Sequence, residues 1–482
     1  MDASAPRSAI EKAESLTTVG LMAVSQHAQQ ANPDSVVSFE SVQSDSMLSD
    51  LAESFTGAHT LDMNRFRFNF WEIAKFEKWC FHMSTPENQK NYSGLEYVSC
   101  SREEGDAFAN LASAMKQEGF LGGWLSGNKA WGRKGVACSW MNALPASIYT
   151  GCVYDNMVAV IVPKNERDLA AIWAFCSSDA FNSAVRKINQ KVQVANSTLV
   201  KVPFDLAHWQ QVAAERYPNG LPKPYSDDPT QWLFHGHPFP ATDPLQVAVA
   251  RLVGYRWPAE QQAAPTGQSE KLQAKSASSP LETCASSYQK NSIELPAPAP
   301  AQAAKTGAAA MELSDEAHAW IARCAALAEH TDDDGIVCLP SVRGEPAAHD
   351  RLLQLLIAAW ETVRPGSWKP TVLDKLLAEA DCAGKGLDTW LRDKFFEQHA
   401  KRFHHRPFVW QVWDGLKDGF AALVNYHQLD AKNLDRLIHT YLGDWIRQQE
   451  AGMANGVDGA QLRWSAAQDL KRRLLLDRKS VV

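Results

Sequence analysis

The stretch Val158-Ala159-Val160-Ile161-Val162-Pro163-Lys164-Asn165-Glu166-Arg167-Asp168-Leu169-Ala170-Ala171-Ile172-Trp173-Ala174-Phe175 changes its period halfway along. Val158 to Val162 are apolar and rich in β-branched residues, the composition of a buried strand, and Pro163 stops it because proline cannot donate to a ladder. From Glu166 the apolar positions Leu169, Ile172, Trp173 and Phe175 fall at helical spacing. Upstream, Gly135-Val136-Ala137-Cys138 is a second short β-prone run. Downstream, Asp179–Ile188 reads as another helix, with Asp179 as its N-cap. Thr198-Leu199-Val200-Lys201-Val202, within Asn196–Pro203, reads as a returning strand. Strands interleaved with helices predict a mixed α/β domain.

Further out, Arg65-Phe66-Arg67-Phe68-Asn69-Phe70 alternates with the period of a half-buried strand. Residues 1–56 are acidic and poor in aromatics, with one helix expected near Ala9–Ser25, and read as a loosely ordered lead-in. Residues 204–260, rich in Pro, Tyr, Trp and His, read as an extended connector with one helix at Pro244–Gly254. Residues 261–312 have the Ala/Pro/Gln/Ser composition of a flexible linker. From 313 the pattern is mainly helical. Ser314 suits an N-cap, and Leu352, Leu353, Leu356, Trp360 and Val363 form an amphipathic stripe closed by Pro365. Leu387–Arg402 and Asn433–Gln449 read as two more helices, with a strand in His404–Trp413 between them. Residues 451–482 form a basic tail. The predicted fold class is an α/β mixed domain at 57–203, a linker, and a mainly α-helical C-terminal domain at 313–450.

The length, 482 residues, suits two or three domains. The net charge of -7 is concentrated: residues 1–60 hold eight acids against Arg7 and Lys12, whereas residues 61–203 hold 16 Lys and Arg against 13 Asp and Glu. An acidic total therefore leaves room for a local positive face. The nine cysteines show no C-x-x-C or Cys/His ligand spacing and read as reduced thiols. No uncharged apolar run is long enough for a membrane span and no signal peptide is legible, so a cytoplasmic location is expected.

Two stretches could carry chemistry. Trp124 to Val136 place Lys129, Arg133 and Lys134 with Trp124, Trp131 and three glycines before a strand. Cations neutralise phosphates or fork onto guanine edges, Trp stacks on bases, and Gly lets backbone N–H groups approach a phosphate. The bland alternative is a solvated turn with core tryptophans. The second stretch holds Arg186, Lys187, Lys191 and Lys201, with no acid between Asp179 and Asp205, and the polar pair Asn196 and Ser197. There the cations could equally serve the C-terminal end of a helix dipole. His235-Gly236-His237 with Asp227-Asp228, and His399 with His404-His405, match no recognised metal spacing, so no metal is expected.

Longer motifs then become recognisable. Gly57-Ala58-His59-Thr60-Leu61-Asp62 with Arg65-Phe66 and Phe70-Trp71-Glu72 resembles the entry to the recognition region of large bacterial adenine-N6 DNA methyltransferases of restriction–modification and BREX-type phage-exclusion systems. These have a TaqI-like specificity domain. Trp131-Gly132-Arg133-Lys134-Gly135-Val136 with Tyr149-Thr150-Gly151, Asp168 to Ser178, and Leu199 to Leu206 continue the likeness. Phe395 to His399, His404 to Phe408, Trp413 to Phe420, Leu423 to His427 and Tyr441 to Ile446 are similar to the tail of the same enzymes. The resemblance covers about Gly57–Gln449 except the linker.

It implies sequence-specific double-stranded DNA recognition by a TaqI-like domain at 57–203. Thr60, Asp62, Arg65, Arg67, Lys129, Trp131, Arg133, Lys134, Arg186, Lys187, Lys191 and Asn196 are the DNA-binding candidates. The family's catalytic half carries a glycine-rich S-adenosylmethionine loop and an N-P-P-Y motif, and neither occurs in this sequence. No catalytic or cofactor-binding residue carries over, so the expected partner is a separate methyltransferase catalytic domain. The end Asp477-Arg478-Lys479-Ser480-Val481-Val482 reads as a premature stop, hence a separated or truncated C-terminal part. The competing expectations are an inert gene fragment and a self-sufficient methyltransferase with divergent motifs. Salt-dependent duplex binding and S-adenosylmethionine binding would separate them.

Overall fold

The computed structural model describes residues 8–18, 23–30, 46–59, 67–73, 79–86, 89–100, 126–222, 236–239, 241–257 and 315–480, with a few isolated positions. Thr60, Asp62, Arg65, Ser314 and the linker 261–312 lie outside them. The chain divides into two compact units: residues 1–67 with 79–224, and residues 68–78 with 225–482.

The first unit is built on β1 (Ala52–Thr56), β3 (Trp79–Met83), β4 (Tyr97–Cys100), β5 (Gly135–Ser139), β6 (Ala146–Tyr149), β7 (Val153–Tyr154) and β8 (Val158–Pro163); a short strand β2 (Arg67–Asn69) crosses the unit boundary. One antiparallel sheet has the order β1-β8-β5-β6. β8 is buried at every position, which explains its unbroken apolar run: it is central in the sheet and covered on both faces. The helix Leu169–Cys176 covers it and is buried on nearly all sides. It ends where Ser178 Oγ donates to Phe175 O at 2.7 Å, a local bond that competes with another helical turn. The helix Asp179–Ile188 then turns Phe181, Val185 and Ile188 into the same core.

Four expectations need correction in this unit. Residues 1–56 are not a loosely ordered lead-in throughout: Leu48 and Ala52 are buried in the core, and Ala52–Thr56 is β1, paired with β8. Ser178, not Asp179, occupies the N-cap of the second helix, and Asp179 stands in its first turn. Asn196–Val200 is a 3-10 turn and not a strand. Its Thr198, Leu199 and Val200 are buried in succession, a requirement that a strand with one exposed face cannot meet. Residues 204–260 are not simply extended: Leu206–Arg216 is a helix, capped by the Asp205 carboxylate accepting from His208 N at 3.1 Å.

The second unit is mainly helical around a three-stranded antiparallel sheet of order β10-β11-β9, formed by β9 (Ile336–Cys338), β10 (Val409–Trp413) and β11 (Ala421–Asn425). The helix Ala348–Val363 buries Leu352, Leu355, Leu356, Ala359 and Trp360, matching the sequence stripe at three of its five positions. Leu387–Arg402 is broken at Lys394 into two helices. The break is tied by Trp390 Nε1 donating to Gln398 Oε1 at 3.0 Å. In the 431–454 segment, Arg436–Tyr441 is a π-helical turn that brings Arg436 and Tyr441 to one carboxylate. Arg436 donates to Asp334 Oδ2 at 2.7 Å and Tyr441 Oη donates to the same oxygen at 3.0 Å.

That carboxylate belongs to a buried pair. Asp332 pairs with Arg351 at 2.9 Å and accepts from the Ile336 and Asp334 N–H groups. Burial, then the hydrogen bond and charge of Asp334, push Asp332 up to about 6. Asp334 stays below its ordinary value: its bonds from Asp332, Arg436, Tyr441 and Ile336 outweigh its own burial. Asp334 is therefore held ionised and Asp332 is the carboxyl that prefers a proton. At about pH 5, where Asp332 is protonated and Asp334 is not, Asp334→Asn should cost about 2 kcal/mol or more, and Asp332→Asn less than about 1 kcal/mol. Equal losses in urea unfolding would contradict this division of roles.

Candidate nucleic-acid interface

The Lys129–Lys134 loop is shaped by its glycines, but not for a phosphate. Gly127 has φ +79°, and a Cβ there would lie 2.5 Å from the Tyr154 Oη. Gly132 N donates to Gly151 O at 2.8 Å, so this N–H is already occupied. Gly151, at φ +101°, lies against the Gly132 backbone, and a Cβ would come within 3.1 Å of it. These glycines let two loops of the first unit approach each other.

The side chains of the loop do point outward. Lys129, Arg133 and Lys134 are exposed, whereas Trp131 is half-buried and presents only part of its ring. Arg133 Nη2 donates to Pro163 O at 3.2 Å, and Lys134 lies 3.3 Å from Glu166 in a solvent-exposed pair of small energetic weight.

The remaining candidates separate into outward and inward groups. Lys187 and Lys191 are exposed. Arg186 is a bracket of the fold: its guanidinium donates to the carbonyls of Asn142, Lys191 and Val192. Asn196 Nδ2 donates to Thr56 Oγ1. Arg67 forms a 2.8 Å ion pair with the buried Asp155, which also accepts from Ser84 Oγ at 2.7 Å, and stacks over Tyr97 at 4.2 Å. Arg67, Arg186 and Asn196 each have a structural role within the unit. Their polar atoms are engaged within the unit, and freeing Arg67 would leave the buried Asp155 carboxylate without its cation.

Strand register shows that the two basic stretches do not form one patch. Gly135 pairs with Tyr149 and Val136 with Ile161, so the start of β5 lies beside the end of β8. At its other end, Ser139 pairs with Val158, Trp140 O accepts from Val194 N at 2.9 Å, and Met141 bridges Gln193. Arg133 and Lys134 thus precede one end of β5, and Lys191 lies beyond the other, so at least the length of β5, about 14 Å, separates them. Lys164 and Arg167, exposed and immediately after β8, join Arg133 and Lys134 at their end, with Lys164 Nζ also donating to Ser49 O at 3.1 Å and Asp50 O at 3.0 Å. Sequence reading missed both residues. Pairing the run before Gly135 with the run ending at Pro163 would have revealed them.

Two further sites bear on cofactors and metals. Asp332, Asp333 and Asp334 bring one carboxylate oxygen each within 4.8 Å of one another. Arg351, Arg436, Tyr441 and backbone N–H groups already occupy the oxygens of Asp332 and Asp334. His399 is fully buried: Nδ1 lies 3.1 Å from Gln246 Oε1, and Nε2 accepts from Val409 N at 3.2 Å. Burial pushes it down to about 3, so it is a neutral core group. No helix among the described residues is long and apolar enough to cross a membrane. No protein-family model matches the chain, and no curated protein matches it in sequence.

Proposed function

We propose that the first unit binds duplex DNA and serves as the target-recognition part of an adenine-N6 DNA methyltransferase of a restriction–modification or phage-exclusion system. The observation that carries the DNA-binding half is the gathering of Arg133, Lys134, Lys164 and Arg167 where β5 begins and β8 ends, with Lys129 exposed in the same loop. Such a cluster neutralises phosphates and sets the register of a duplex. Lys187 and Lys191, beyond the far end of β5, would meet the duplex at least about four base-pair steps away if the DNA axis follows the strand. The methyltransferase half rests on the motif resemblance from Gly57 to Gln449.

In this reading a separate catalytic domain supplies S-adenosylmethionine chemistry and flips the adenine. One strand–turn–helix supports this assignment. The strand–turn–helix from β8 into Leu169–Cys176 has Lys164-Asn165 where a nucleotide cradle has glycine. Glu166 and Asp168 stand in its first turn, where a bound carboxylate would be repelled. The chain is assigned recognition and no methyl-transfer step.

The test is fluorescence anisotropy with random and varied duplexes across a salt series, with and without S-adenosylmethionine. Binding should weaken steeply with salt and ignore the cofactor. Replacing Lys129, Arg133 and Lys134 together by alanine should cut affinity at least tenfold and lower the log–log salt slope by about 0.9 for each phosphate that is no longer neutralised. Thermal unfolding should hardly change, since these side chains are exposed. Absence of binding at low salt would sink the proposal and leave an inert fragment as the better account. A cofactor-dependent rise in affinity would instead favour a self-sufficient enzyme.

A further inference from the structure

The three-stranded sheet of the second unit has two edges, and they are finished differently. At the β9 edge, the Ile336 N–H is taken by the Asp332 and Asp334 carboxylates at 3.2 and 3.0 Å. At the β10 edge the register decides which groups face out. Tyr426 N donates to Phe408 O at 2.9 Å and Asp414 N to Phe420 O at 3.0 Å. Residues of even number therefore bond to β11, and Val409, Gln411 and Trp413 present their N–H and C=O groups outward. The outward N–H of Val409 is taken by His399 Nε2. Those of Gln411 and Trp413 have no partner among the described residues.

The open part lacks the usual protection of an edge. Val409-Trp410-Gln411-Val412-Trp413 contains no charge, proline or bulge, the devices that keep an edge from pairing. Trp410 and Trp413 are 46% and 47% exposed.

We infer that this edge pairs with its own copy, antiparallel about a two-fold axis at Val412, joining two sheets into one. In this register Gln411 faces the second copy's Trp413 and Trp413 faces its Gln411. Each such pair exchanges two backbone hydrogen bonds, so all four open groups of each chain are satisfied. Val412 meets Val412 in the closer, non-hydrogen-bonded position on the axis. No like charges oppose each other across the strands. Gly415, a turn residue with φ +95° and no side chain, falls opposite Val409, where His399 already closes the edge. A register shifted to centre on Gln411 would drive Trp413 against that closed position. The self-complementary register, the absence of charge and the match between open groups and partners favour a second copy over an unrelated strand.

Analytical ultracentrifugation of the full chain over a concentration series tests this. The wild type should shift from monomer toward dimer. Gln411→Lys puts a cation into the paired edge, and Gln411→Pro removes one outward donor without touching the bonds to β11. Each should weaken association about tenfold or more, with an unchanged unfolding temperature. Independently of those variants, Val412→Cys should give a reducible dimer under diamide. Residues facing each other at a non-hydrogen-bonded position have Cα atoms about 4.5 Å apart, within disulfide reach. The wild type under diamide is the control for the native thiols. A monomer at every concentration would overturn the inference. So would a dimer indifferent to both Gln411 variants, or one that Val412→Cys cannot cross-link.

Discussion

Trp71→Ala is expected to destabilise the second unit by about 3–5 kcal/mol, the range for removing a fully buried tryptophan. The ring is inaccessible to solvent and lies edge-on to Phe70, Phe403 and His404, with centroids 5.0, 5.1 and 5.6 Å away. Its Nε1 donates to Arg406 O at 3.1 Å, and its carbonyl accepts from His427 Nε2 at 2.7 Å. Truncation would leave a cavity among aromatic walls that cannot collapse and an unpaired carbonyl at Arg406. Trp71→Phe keeps most of the packing and loses the N–H, so its cost should be nearer about 1–2 kcal/mol. Urea unfolding followed by near-ultraviolet circular dichroism gives both values. An alanine variant within about 1 kcal/mol of wild type would mean that this cluster is not the core of the unit.

The second large effect is a loss of stability in acid caused by His399. Its ordinary value of 6.5 is lowered by burial to about 3. Protonation would also set a donor at Nε2 against the Val409 N–H. A depressed folded value means that the stabilisation is complete above pH 6.5 and is lost progressively as pH falls toward 3. At about 1.4 kcal/mol per unit, the contribution lost between about pH 7 and pH 5 is about 2 kcal/mol. Asp332 acts in the opposite sense, because a raised carboxyl gains its proton in the folded state first, below about pH 6. The His399 contribution is therefore read as the difference between wild type and His399→Gln in the slope of unfolding free energy against pH. The variant should be less stable at about pH 7 but lose about 2 kcal/mol less on going to about pH 5. Parallel slopes would show that His399 is not the titrating group.

Much of the first unit was legible from local pattern. Val158–Val162 reads as a strand because its β-branched apolar run is stopped by Pro163, and Leu169–Phe175 as a helix because its apolar positions fall at helical spacing. The same reading failed at Asn196–Val200. A run of β-branched and apolar residues is equally consistent with a tight 3-10 turn whose side chains are all inside. The break at Lys394 left no mark either, although its tie from Trp390 to Gln398 is local, and the π-helical turn at Arg436–Tyr441 is fixed by the distant Asp334. Among the site residues, exposure of Lys129, Arg133, Lys134, Lys187 and Lys191 followed from their type. The commitment of Arg67, Arg186 and Asn196 did not, because it depends on where Asp155, Asn142 and Thr56 arrive.

The alternation Arg67-Phe68-Asn69-Phe70 shows the limit most clearly. Its period predicts a strand through Phe70, but the strand stops at Asn69. There Glu72 Oε2 accepts from both the Asn69 N–H and its Nδ2 at 2.8 Å and closes a turn. Phe70 and Trp71 then enter the core of the second unit although they neighbour the first in sequence. Sequence by itself determined the periods, the stops at proline and the sign of the local charge, because these depend on a residue and its near neighbours. Only the tertiary structure decided which cations brace the fold, which end of β5 the exposed ones occupy, and which sheet edge stays open. Those properties arise from pairings between residues far apart in the chain, which no local pattern encodes.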